Sequence, residues 1–292
     1  MPLKAPAILS YTSAPRSYHV RTTQIPLIKQ ELSMDLCVAV ARSLNTAGVE
    51  NILWGTHLLS AYTVPTVILE LSFVVPGNQL QEAVSALESK SLLLCRNSHC
   101  SLNLPRDCQA VSYDNPHAHF HLGAGMHTLN QECGIVKLYT MEDRLWELPV
   151  RGRGVSFTDG PTNSVIFAND SSLAVGTPTQ GIGRFPNSAS EVRIPTLHRF
   201  VEAMALLTLQ CEPNSHSTAS WISELAYVAN LVDQNRLSHP AFKELCTWIL
   251  KRGTSFSIMI RRVREALRSR IHEDVHWNEV QKIRDLRSKE GL

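Results

Sequence analysis

Glu70 is the single carboxylate in the apolar run Val67–Val75, which reads VILELSFVV. A charge placed there needs a partner or a cleft. Ser72 follows two residues later. Side chains alternate along a strand, so Glu70 and Ser72 share one face. Two carboxylates at that spacing would suit Mg²⁺, a hard cation that prefers anionic oxygens in octahedral geometry. A carboxylate and a hydroxyl supply only one anion. Polar side chains recur on two later runs, His119-Phe120-His121 and Lys137-Leu138-Tyr139, with the same alternation. Glu70 is expected either to pair with Lys137 or His121 or to serve as a general acid or base with a raised pKa. His119 and His121 at i, i+2 could bind zinc or take part in proton transfer. With no third ligand evident, the pair reads as a polar strand face.

The elements that must position these residues are legible from periodicity. Ser33 to Ala47 has helical spacing, with Leu36, Val38, Ala39, Val40 and Leu44 apolar, and Gly48 is its C-cap. Ile52–Trp54 reads as a buried strand ending at Gly55, Thr56–Tyr62 as a short helix, and Val67–Val75 as a second strand opened by Pro65. A helix is expected over 79–87 and strands over about 117–122 and 134–140. From 150 to 190 the composition turns to Gly, Pro, Ser, Thr and Asn, with a strand over 164–168. Helices follow over 195–209, 220–233, 240–251 and 257–273. The last has Ile258, Ile260, Val263, Leu267 and Ile271 on one stripe and Arg261, Arg262, Arg264, Arg268 and Arg270 on the other. Glu265, Glu273 and Asp274 are mixed in, so that basic face reads as a solvated outer helix.

Trp54-Gly55, the stretch Tyr62 to Val67 (Y-x-V-P-T-V) and Phe73 to Pro76 (F-V-V-P) together resemble a divergent fungal branch of the polymerase-β-like nucleotidyltransferase superfamily. The resemblance is specific over about 49–75. It implies an α/β (α+β) fold: a nucleotidyltransferase-like mixed sheet flanked by helices, then a C-terminal helical lobe. The expected layout is an N-terminal arm (1–30), an α/β core (31–150), a connecting segment (151–190) and the helical lobe (191–292). In active members a Gly-Gly or Gly-Ser turn brings backbone N–H groups to the triphosphate, and an acidic pair on the second strand holds metal with a third acid from a later strand. Here the turn is Gly55-Thr56, the pair is Glu70 and Ser72, and the later strands carry no acid. Asp114, Glu132 and Glu142 only flank them, so a two-metal site is not expected unless a shifted register lets Asp114 or Glu142 complete it.

The resemblance implies a cleft bordered by Trp54, Gly55, Thr56, His57, Ser72 and His119, with Glu70, His121, Tyr139 and Lys137 as candidates for catalysis. It also implies a biosynthetic role in fungal secondary metabolism. Three readings stay open. One is a metal-independent protein that transforms a small, largely apolar molecule by cyclisation or rearrangement, cycloaddition included. The second is a working nucleotidyltransferase that uses Mg²⁺ and a nucleoside triphosphate. The third is a non-catalytic binding protein. The first needs no metal and no cofactor.

Bulk properties narrow the classes. The chain has 292 residues, 43% hydrophobic and 18% charged, with a formal net charge of +2. That length buries a full core, and the charge makes no electrostatic case for nucleic acid. No run approaches the length of a membrane span. Residues 1–30 carry Lys4, Arg16, Arg21 and Lys29 before the first acid, but Pro2, Pro6 and Pro15 break any amphipathic helix there. With no secretory signal evident, reduced thiols and a cytoplasmic location are expected for the seven cysteines. Cys95, His99, Cys100 and Cys108 fit no standard pair-and-pair knuckle and read as buried or incidental thiols.

Overall fold

The structure is a computed structural model that describes residues 31–98, 100–103, 116–123, 134–145, 164–177, 181–211, 216–251 and 256–267. The N-terminal arm, Asp114, Glu132, His99, Cys108, Cys133, Arg268, Arg270, Ile271, Glu273 and Asp274 lie outside these residues.

Helix α1 (Met34–Thr46) starts where the Ser33 hydroxyl accepts from the Leu36 amide at 3.2 Å, a side-chain N-cap. It ends before Gly48, whose φ of +74° supplies the left-handed turn. Strand β1 (Ile52–Trp54) leads through Gly55 into α2 (Thr56–Ala61). Strand β2 covers Glu70–Val75. It starts later than expected because Val67 and Leu69 are exposed and make no ladder. Helix α3 (Leu80–Glu88), strands β3 (Ala118–His121) and β4 (Ile135–Thr140), and the short α4 (Met141–Arg144) complete the N-terminal part.

These strands form one mixed sheet in the order β1-β2-β4-β3. β1 and β2 are antiparallel, β2 and β4 parallel, β4 and β3 antiparallel. The register places Trp54, Ser72, Lys137 and His119 in one row across all four strands, and Glu70, Ile135 and His121 in the next. Cross-strand partners share a face. One face of the sheet therefore carries the polar residues. The other carries Leu53, Leu71, Phe73, Phe120, Val136 and Leu138, all buried in the hydrophobic core.

A second pairing, not anticipated, joins β5 (Val165–Phe167) to β6 (Arg193–Pro195). Tyr62, at the end of α2, donates to the Pro195 carbonyl at 2.5 Å. Segment 181–183 straps α2 through bonds from Gly181 to Thr63 and from Gly183 to Ser60. Helices α5 (Leu197–Gln210), α6 (His216–Val228), α7 (Pro240–Leu250) and α8 (Phe256–Ala266) form the lobe that follows.

Helix α5 is buried on nearly every side from Phe200 to Leu209, as a central helix should be. Its Phe200 meets Trp54 edge to face at 5.0 Å, so the lobe packs on the polar-bearing face of the sheet. On α8, Ile260, Val263 and Leu267 face inward, but Ile258 is exposed, against expectation. Arg262 pairs with Glu244 of α7, and Arg264 donates to the Cys211 carbonyl. Two arginines of the expected solvated face thus bind the lobe together. No helix among the described residues is long and apolar enough to cross a membrane.

Phe200 is fully buried at the junction of sheet and lobe. Phe200→Ala is expected to cost ~3–5 kcal/mol, the range for truncating a buried aromatic, read by urea denaturation. A loss below ~1 kcal/mol would mean the lobe does not rest on this contact.

Candidate functional site

Gly55 sits at the end of β1 with φ +70°, a left-handed conformation that favours glycine. A Cβ there would stand 3.3 Å from Glu70 Oε1 and 3.5 Å from Ser72 Oγ. The turn therefore lies directly over the carboxylate. Thr56 Oγ1 donates to the Glu70 carbonyl at 3.4 Å, and His57 Nδ1 lies 3.1 Å from the same oxygen. The start of α2 is thus tied to β2 by two side chains. His57 is fully buried, and that burial holds its pKa below the ordinary histidine value, with the bond to Glu70 opposing. A neutral ring donating from Nδ1 leaves Nε2 as an acceptor, and Nε2 has no partner among the described residues.

The Glu70 carboxylate is held on both oxygens. Ser72 Oγ donates to Oε1 at 2.9 Å, and Lys137 Nζ forms a close ion pair with Oε2. Lys137 stands opposite Ser72 in the parallel ladder, so its side chain reaches Glu70 diagonally on the shared face. The Lys137 side chain is 3% exposed and that of Glu70 is 24% exposed. Of the two expected partners for Glu70, the structure selects Lys137. Its ammonium provides a cation beside the carboxylate from within the chain.

Glu142 does not complete an acidic triad. Its carboxylate accepts from the Gly77 amide at 2.9 Å, beyond the far end of β2. Five residue steps separate that end from Glu70, about 17 Å at the usual rise. A second carboxyl group near Glu70 comes from the lobe. Glu224 of α6 lies within electrostatic reach of Glu70, and burial followed by the Glu70 charge pushes its pKa from 4.5 up to about 8. Sequence reading missed Glu224 because it lies on a helix more than a hundred residues away, at an unremarkable amphipathic position.

The remaining candidates divide. Trp54 is buried against Phe200 and Tyr139 lies under the Arg144 guanidinium, 4.3 Å from its ring centroid. Arg144 also covers Trp221 of α6 at 4.9 Å. Trp54 and Tyr139 therefore both lie where the sheet meets the lobe. Glu70, Thr56 and His121 keep partial exposure. His119 and His121 are drawn to a separate group at the β3 edge. Cys100 Sγ lies 3.3 Å from His119 Nε2 and 3.7 Å from His121 Nε2. With Cys95 added, the four donor atoms all fall within 4.8 Å of one another. The third and fourth donors that the H-x-H pair lacked in the sequence are thus two cysteines on a segment before β3.

No protein-family model and no curated protein sequence matches the chain.

Two outcomes follow from this electrostatic arrangement. Glu70→Leu leaves the Lys137 ammonium buried without its carboxylate and is expected to cost about 3–5 kcal/mol, whereas adding Lys137→Met should recover most of that loss. Equal losses in single and double variants, measured by denaturation, would show that the pair is not coupled. Glu224 sets a pH dependence. Between about 4.5 and 8 the unfolded chain has released this proton while the folded protein keeps it, so stability falls as pH rises through that window and then levels off. In Glu224→Gln that component of the slope should vanish. An unchanged stability–pH curve would contradict the shift.

Proposed function

We propose that the cleft beside Glu70, Lys137 and Glu224 binds a small, largely apolar organic molecule and transforms it by positioning and proton transfer, without a catalytic metal. The observation that carries this reading is the Lys137–Glu70 pair. A carboxylate already bonded to an ammonium on one oxygen and a hydroxyl on the other is a poor ligand for Mg²⁺, which wants several anionic oxygens.

The chemistry left to such a site is acid–base. Glu224, still protonated at neutral pH, donates a hydrogen bond or proton to a carbonyl oxygen of the bound molecule. Glu70, fixed by Ser72 and Lys137, accepts a proton from the bound molecule in return, and passing that proton back to Glu224 through solvent resets both groups. Two neighbouring carboxyl groups pushed toward different protonation states are the usual arrangement for that division of labour. A cyclisation or rearrangement, cycloaddition included, needs little else. Holding two reacting ends in near-attack geometry lowers the barrier by ~7–11 kcal/mol in favourable cases.

A nucleotidyltransferase activity would require Lys137 to release Glu70 to a metal. Calorimetry with Mg-ATP separates the two readings. Negligible heat is expected from the wild type. Micromolar affinity that disappears in Glu70→Gln would overturn the proposal. In parallel, a thermal-shift screen of uncharged and weakly acidic carbonyl compounds is expected to return stabilising ligands whose effect falls in Glu224→Gln. For any compound that is turned over, the rate should decline as pH rises through about 8, where Glu224 loses its proton. Binding without turnover across the screen would favour a non-catalytic binding protein.

A further inference from the structure

We propose that Cys95, Cys100, His119 and His121 bind a zinc ion in a closed, structural site at the β3 edge of the sheet. The donor set is the first argument. Two thiolates and two imidazoles are the borderline-soft combination that zinc takes in tetrahedral structural sites. Neither cysteine is in a disulfide.

Geometry is the second. Zinc bonds of about 2.3 Å to sulfur and about 2.0–2.1 Å to nitrogen put a tetrahedral S···N edge near ~3.6 Å. The two Cys100-to-histidine distances, 3.3 and 3.7 Å, bracket that edge. All four donors fit within 4.8 Å. The two imidazoles meet at 82°, as rings converging on one point from neighbouring strand positions would.

The backbone builds this arrangement from sequence-distant parts. Leu94 bridges Phe120, and the Cys95 amide donates to the His119 carbonyl at 3.0 Å, which sets Cys95 beside β3. A turn closed by Cys100 N to Asn97 O brings Cys100 back to the same place. Asn103 fastens the loop: its side-chain amide lies 3.3 Å from the Cys95 carbonyl, 3.6 Å from Cys95 Sγ and 2.8 Å from the Asn97 carbonyl. An N–H directed at a ligand sulfur is the outer-shell support typical of metal-binding thiolates. The sequence pattern is C-x4-C followed by H-x-H, and the cysteine spacing lies within the range used by zinc-binding pairs.

Four protein donors leave no open position, so the ion holds structure and does no chemistry. It would clamp segment 94–103 to the edge strand and fix His119 in the row beside Lys137. His119 and His121 are then ligands, not proton-transfer groups. The site stands independently of the function proposed for the cleft.

The test uses the full chain purified under reducing conditions. Elemental analysis is expected to find one zinc per chain. After the metal is stripped and Co²⁺ added, the intense visible bands of tetrahedral cobalt and a thiolate-to-cobalt charge-transfer band should develop. Cys95→Ser and His121→Ala should each lose the zinc, while Cys246→Ala, buried in α7 outside the cluster, should retain it. Asn103→Ala should weaken zinc affinity by ~10–100-fold in competition with a chelator, the usual effect of an outer-shell loss. Should a ligand variant fail to fold, the cobalt spectrum of the wild type still decides. Wild-type protein that holds no stoichiometric zinc, gives no thiolate–cobalt band, carries iron or copper instead, or shows a Cys95–Cys100 disulfide by mass would overturn the assignment.

Discussion

The buried ammonium of Lys137 constrains the centre of this molecule. An ion that deep in a sheet is tolerated only with a carboxylate against it and its remaining bonds satisfied. That requirement fixes the parallel register of β2 and β4, since a one-residue slip would turn Lys137 into the apolar face beside Leu71 and Phe73. It also makes sense of Ser72. With Lys137 on one oxygen of Glu70, a neutral donor on the other closes the group at zero net charge. A second carboxylate at position 72 would leave an unbalanced anion under the Gly55 turn.

Burial, with the Glu70 charge second, explains the state of Glu224. The lobe delivers this carboxyl to a place where burial disfavours its charged form, within reach of the Glu70 charge. Desolvation is the larger effect and the Glu70 charge the smaller, and both favour keeping the proton. Glu224, brought in by a helix, thereby keeps its proton up to about pH 8.

Much of the sheet was legible in the sequence, because strand alternation and glycine punctuation are local signals. The ends of β1 and the common face of Glu70 and Ser72 follow from period two and from Gly55. The start of β2 was not legible: Val67 and Leu69 have strong strand propensity but are exposed, and propensity yields to context there. Ile258 misled for a similar reason, since a helical stripe does not say how far along the helix the neighbouring elements reach. What makes a site out of Glu70 was the least legible part. Lys137 was visible as a candidate, but Glu224 comes near Glu70 only through the tertiary arrangement of the lobe. The cysteines were judged by their spacing from one another, whereas their partners are two histidines on a strand that the chain reaches 18 residues after Cys100.

The sheet has two edges, β1 and β3, and they are secured by different means. β1 is covered: Trp54 lies against Phe200, and α2 is strapped by residues 181–183 and by Tyr62 bonding to β6. β3 is only four residues long, and among the described residues it has no full strand beyond it, just the bridge at Leu94 and one bond from Cys95. Such an edge needs covering or clamping. The cysteine–histidine cluster lies at this weaker edge, one strand from Lys137. Keeping β3 in register keeps His119 beside Lys137, and so supports the ion pair from outside. In a polar face largely covered by a helical lobe, the order of the edge and the ion pair at the centre depend on the same register.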